Sequence, residues 1–187
     1  MKSNTFSNQV KEKVALKGVY IFTKAKLETP EHFKLQDQIS ELLKAGKDAV
    51  ALIRHLHTIC KTERFVYENI VPTVGRQMIA NNLTNASPTN LMRVKYAELG
   101  SGTTAPANGN TAMETSMYRN AIASITNSTN IAYATAFFNA TETTGTYREA
   151  GIFCDGSATA GTGVLLSRVA INVTKTSSET LTIDWAL

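Results

Sequence analysis

The chain has 187 residues, 43% of them apolar, and a formal net charge of +4. That length supports one generous core or two small ones, and no apolar run reaches the roughly 18 residues that a membrane-crossing helix needs. The polar opening MKSNTFSNQVKEKV has no apolar signal segment, so the expected compartment is a cytoplasm, with Cys60 and Cys154 as reduced thiols.

Charge is unevenly placed. Residues 1–68 hold 12 Lys and Arg against 8 Asp and Glu, and the remainder is balanced. A surplus this small, mixed with acids, reads as a solvated face rather than a nucleic-acid groove. From Gly100 onward only Arg119, Arg148, Arg168 and Lys175 stand against Glu114, Glu142, Glu149, Asp155, Glu179 and Asp184. An ordinary soluble domain carries about a quarter charged residues. A surface so short of charge is expected to face other protein.

In chain order, Val14 to Leu27 reads as a strand with Val19, Ile21, Ala25 and Leu27 on one face and Lys24 and Lys26 on the other. Thr29-Pro30-Glu31 opens a helix, with Thr29 as N-cap and Pro30 in the first turn. Leu35, Ile39, Leu42, Leu43, Ala49, Val50, Ile53 and Leu56 then recur at helical spacing. Gly46 interrupts them, so one long helix and two shorter ones fit equally. Arg64 to Ile70 returns to strand, Pro72 breaks it, and Val74 to Leu83 predicts a short helix with Met78, Ile79 and Leu83 inward. Asn81 to Asn90 reads as loop, Leu91 to Leu99 as strand, and GSGTTAPANGN as a long turn-rich segment.

Beyond it strands are predicted at Thr115–Ile125, Asn130–Thr141, Thr146–Phe153, Val164–Thr174 and Glu179–Leu187. Short strands at such intervals, with no helix between them, predict a mainly β fold. The expected architecture is an antiparallel β-sandwich, Ig-like or jelly-roll-like, with an inserted helical segment. Its divisions are an N-terminal arm and first strand over 1–30, a helical insertion over 31–62, and a sandwich over 63–187 completed by strand 14–27.

Residues that could carry chemistry are few. His55, His57 and Cys60 are metal-capable, but on a helix the two histidines point about 200° apart, and His57 with Cys60 is only half a site. GSGTT at 100–104 lacks the lysine of a phosphate loop. No G-x-S-x-G elbow accompanies the Ser-rich half, and the histidines all lie elsewhere. Glu149 is the one acid inside an apolar strand, explained by an ion pair with a neighbour such as Arg148 or by a hydrogen-bonded turn. The Asn-x-Ser/Thr triplets at Asn82, Asn85, Asn127, Asn139 and Asn172 follow from composition. The six tyrosines are scattered and make no stacking platform. No catalytic, cofactor or metal residue is therefore assigned.

Four segments in order, ENIVPTVGRQMIANNL (68–83), LGSGTTAPANGNTAMETSMYRNAI (99–122), GTYREAGIFCDG (145–156) and VLLSRVAINVTKTSSETLTIDW (164–185), resemble a family of tailed-bacteriophage virion proteins. Members are described as tail-fibre, collar or other minor structural components. The shared marks are a Gly-x-Gly-Thr-Thr-x-Pro loop, an Arg-Glu-Ala-Gly-Ile-Phe strand and a closing strand ending in Trp. The resemblance covers about residues 64–187, and the helical part 30–60 departs from it. It implies a non-enzymatic part of the virion, assembled in the host bacterial cytoplasm. That part would act by contact with copies of itself and with other virion proteins, without cofactor, membrane or nucleic acid. The alternative expectation is an adhesin that binds a host-surface glycan through the 100–110 loop.

Overall fold

The computed structural model describes residues 16–84 and 88–187. The polar opening, the predicted strand start at Val14 and the Asn85 triplet lie outside them. The elements in order are β1 (Lys17–Lys26), α1 (Pro30–Lys44), α2 (Val50–Ile59), β2 (Lys61–Ile70), α3 (Thr73–Thr84), β3 (Val94–Gly100), β4 (Ser116–Ser128), β5 (Ile131–Phe138), β6 (Gly145–Cys154), β7 (Val164–Lys175) and β8 (Glu179–Ala186).

The strands do not stack as a sandwich, Ig-like or jelly-roll-like. They close into a single antiparallel barrel in the order β1-β2-β7-β6-β3-β4-β5-β8. Alternation along a strand tells which side chains turn to a core, and it is the same for two facing sheets and for one sheet rolled on itself. The first strand decides between them. β1 pairs with β2 from Lys17↔Ile70 to Lys26↔Lys61, and on its other side with β8 from Val19↔Ala186 to Lys26↔Glu179. The remaining closure, between β2 and β7, is one bridge at Ile70↔Arg168.

Two apolar clusters follow. The barrel interior holds Tyr20 and Phe22 from β1, Leu99, Phe138, Tyr147, Ile152, Val173 and the closing strand's Leu181, Ile183 and Trp185. The second lies between the outer wall and the helices, where Ala25, Leu27, Phe137 and Ala140 meet Leu35, Ile39, Ile53 and Leu56. β1 therefore buries both faces in different places. The face expected to be buried is split: Ala25 and Leu27 sit under the helices, whereas Val19 is 37% exposed. Tyr20 and Phe22, on the opposite face, fill the barrel. A lone strand's pattern cannot separate a core inside the sheet from one outside it.

The helices form for local reasons that were readable. Thr29 Oγ1 accepts from His32 N at 3.3 Å with Pro30 in the first turn. Two helices form, not one, because Gly46 takes φ +66° and ends α1. Gly46 N donates to Leu43 O and Lys47 N to Leu42 O, the paired bonds of a Schellman stop. In α3, Gly75 lies against the backbone of β7, where a Cβ would come 2.9 Å from Leu166 O. Met78 enters the barrel core as expected, but Leu83 is 80% exposed rather than inward.

Candidate functional site

Three of the four basic residues beyond Gly100 carry side chains buried on the barrel wall, and each fastens a loop. The β3–β4 loop, residues 101–115, folds back over the outside of β6 and β7. Glu149 on β6 receives it: its Oε1 accepts from Gly102 N at 3.2 Å and Thr115 N at 2.7 Å, and its Oε2 from Glu114 N at 3.1 Å. Arg168 on β7 completes the carboxylate, with Nε 2.9 Å from the same Oε2. Its Nη2 also lies 2.8 Å from that oxygen and donates to Thr104 O at 3.3 Å, and its Nη1 donates to Asn110 Oδ1 at 2.8 Å. Both side chains are 1% exposed.

Two glycines where β3 enters this loop, Gly100 and Gly102, lie against that carboxylate. A Cβ at Gly100 would sit 2.7 Å from Glu149 Oε1, and one at Gly102 would collide with the same oxygen. Glu114 turns back on its own loop, accepting from Thr104 N at 2.8 Å and Thr104 Oγ1 at 2.7 Å. Those bonds hold its carboxyl below the ordinary range. From α3, Arg76 reaches Asn108 Oδ1 at 3.3 Å, while Asn108 O accepts from Thr73 N at 2.9 Å. A groove of about 330 Å³ remains beside the loop, lined by residues that include Thr104, Asn110, Met113, Glu114 and Arg168 and by no aromatic ring.

A second pair, Glu98 on β3 and Arg119 on β4, fastens the β6–β7 loop, residues 155–163. Glu98 Oε1 accepts from Arg119 Nη1 and, at 3.3 Å, from Gly161 N. Arg119 also donates to Thr162 O at 2.9 Å, its guanidinium lying 4.3 Å from the Tyr96 ring centre and 4.7 Å from that of Phe153. Among the described residues Glu98 Oε2 and Arg119 Nε find no partner.

Lys175 fastens the β5–β6 loop, residues 139–144. Its Nζ donates to Ala140 O at 3.0 Å and Thr143 O at 2.6 Å. Burial pulls its pKa down to about 8, against the opposing pull of Glu142 and Glu179. The neutral amine keeps two N–H donors for these two carbonyls.

The metal-capable and thiol residues singled out above each make contacts of their own. His57 Nε2 lies 2.9 Å from Thr182 Oγ1, where burial and the nearby Arg54 lower its pKa to about 4. His55 lies within reach of Thr58, and Cys60 enters the helix–wall cluster. Cys154 belongs to the barrel core, where burial raises its pKa to about 12. No group of three metal-capable residues exists among the described residues, and none of their helices is long and apolar enough to cross a membrane. Glu149 is the buried carboxylate its strand setting suggested. Its partner, however, is Arg168 rather than the exposed neighbour Arg148.

The importance of Arg168, Glu98, Arg119 and Lys175 escaped sequence reasoning. Arg168, Glu98 and Arg119 are charges inside predicted strands and Lys175 directly follows one, but the exposed Arg148 is also inside one, and only the fold separates them. No protein-family model, curated protein or solved structure matches this chain.

Proposed function

We propose that this chain is a non-enzymatic structural component of a tailed-phage virion, of tail, collar, fibre or head-decoration type, that works through contacts with copies of itself and with other virion proteins. One observation carries the reading. The four segments on which the resemblance rests meet at a single place: Arg76 and Thr73 from the first, Gly100, Gly102, Thr104, Asn110 and Glu114 from the second, Glu149 from the third and Arg168 from the fourth. Their polar atoms are turned on one another and hold a loop against a wall. Motif residues consumed in shaping an outer surface suit a part that acts by its shape. An acid or base awaiting a substrate would keep a free lone pair or donor in a cleft.

The glycan alternative has less behind it. The groove beside the 100–110 loop offers no ring for a sugar face to stack on, and Arg168 is already committed to protein partners.

The test is mass spectrometry of purified virions, joined to mass measurement of the isolated chain. The reading expects the protein in intact particles and a chain that self-associates or binds another virion protein. A chain absent from particles and monomeric throughout would overturn it.

A further inference from the structure

The geometry points to Asn108-Gly109, in the β3–β4 loop, as a site of self-modification: the folded chain converts the Asn108 amide into a carboxylate, which Arg76 of α3 then holds. The co-reactant is water.

Asn108 is the only asparagine of the chain that precedes a glycine, and a glycine has no Cβ to keep its backbone nitrogen away from the preceding side chain. Both residues are exposed, at the centre of a turn closed by Asn110 N donating to Ala107 O at 3.0 Å. Nothing lies within 4 Å of where a Gly109 Cβ would stand, and Gly109 N donates to no acceptor among the described residues. The nucleophile is therefore uncommitted. Its target is activated: Asn108 Oδ1 accepts from Arg76 Nη1 at 3.3 Å, so a guanidinium stabilises the negative charge that attack places on that oxygen. Arg76 is itself anchored, with Nη1 donating to Val71 O and Nη2 to Thr73 Oγ1, each at 3.1 Å. Approach of Gly109 N to Asn108 Cγ needs a rotation about the Asn108 Cα–C bond. Giving up the one turn bond for it reduces the reactive population by about tenfold at most. The other acidic or amide residue before a glycine, Asp155, is closed to the same reaction. Lys95 Nζ donates to its Oδ1 at 2.8 Å, and a Cβ at Gly156 would come 2.6 Å from Gly163 N.

The chemistry needs no oxidant or reductant. Gly109 N gives its proton to hydroxide and bonds to Asn108 Cγ. The bond from Cγ to Nδ2 then breaks, Nδ2 leaves as ammonia with a proton from solvent, and a cyclic imide remains. Water opens the ring. Cleavage of the new N–Cγ bond restores the original backbone with an aspartate at position 108, and cleavage at the backbone carbonyl gives isoaspartate. Either product exchanges a neutral amide for a carboxylate. Where Oδ1 now takes a bond from Arg76, the aspartate forms an ion pair with it, tying the β3–β4 loop to α3 and lowering the formal net charge of +4 by one.

The experiment is incubation of the purified full chain in mildly alkaline buffer, followed by peptide mapping with mass spectrometry. The expected result is a gain in mass equal to exchange of –NH2 for –OH, confined to the peptide that holds Asn108. It should grow over days and faster as pH rises. Gly109→Ala should abolish it without harm to the fold, since the position is open and its φ lies outside the left-handed region. A wild-type chain that converts only when unfolded in urea shows that the turn shields Asn108, and overturns the proposal. Equal conversion in G109A overturns it as well. The hold on the product is read from melting curves. Asn108→Asp should melt above Asn108→Ala at low salt, and the difference should disappear when Arg76→Met is added to both. No difference between N108D and N108A, or one that survives R76M, removes Arg76 as the holder.

Discussion

Glu149 and Arg168 are 19 residues apart along the chain, on adjacent antiparallel strands, and Arg168 Nε lies 2.9 Å from Glu149 Oε2 with both side chains shut away from solvent. Each oxygen of that carboxylate has two or more donors. Breaking a buried pair leaves an uncompensated charge, at about 3–5 kcal/mol. Arg168→Met should therefore destabilise the fold by that amount in urea unfolding. E149Q together with R168M should cost clearly less than the two single changes added. Additive losses would show that the two side chains do not act as a unit.

The Glu98–Arg119 pair sets up a contrast. It is as buried, yet Glu98 Oε2 and Arg119 Nε lack partners among the described residues, so its desolvation is less well offset. Each single replacement, E98L or R119M, should again cost about 3–5 kcal/mol. The double replacement should recover most of this and leave a fold of near wild-type stability. The check is a double-mutant cycle by chemical denaturation.

Gly102→Ala introduces a Cβ that collides with the Glu149 carboxylate. Crowding of this kind costs about 1–3 kcal/mol. Exchange of the Gly102 and Thr115 amides with deuterium should speed up, while amides of the β1–β8 wall remain protected.

Lys175 gives stability a pH dependence of known sign. Its pKa of about 8 in the fold lies below its ordinary value of 10.5, so above pH 8 the unfolded chain holds the proton more firmly. Stability contributed by this group rises with pH between those values, by at most about 1.4 kcal/mol per pH unit. Cys154 and Tyr20 act oppositely, as burial raises their pKa values, and they enter above about pH 9. The stability difference between wild type and K175M should therefore move in favour of the wild type as pH rises from about 8 to 9.

His57 acts at the other end of the scale. With its pKa lowered from 6.5 to about 4, the folded state resists protonation, and stability is lost as pH falls through that interval. His57→Gln should flatten the acid limb of the stability curve. A limb unchanged by the substitution would remove His57 as its source.

How much of this was legible varied with the range of the interaction. Thr29-Pro30 marked the start of a helix, because a cap is made within a single turn of chain. The strands beyond Thr115 were placed to within a few residues, because period two is a property of neighbours along one strand. The stop at Gly46 was visible as a breaker, although the choice between one helix and two needed its positive φ. The partner of Glu149 was beyond reach, since nothing local distinguishes Arg168 from Arg148. Closure was equally hidden. Whether the edges of a sheet meet depends on β1 lying between β2 and β8, strands far from it along the chain.

The amino-acid order by itself determined which segments are helix, strand and turn, and that the last ninety residues run as successive antiparallel strands. Tertiary structure alone decided that those strands close into a barrel, that β1 buries opposite faces at its two ends, and which charge answers which. The reason is range: backbone preference and apolar period act between near neighbours. Burial of an ion pair or closure of a sheet is a free-energy balance among residues that only the folded chain brings together.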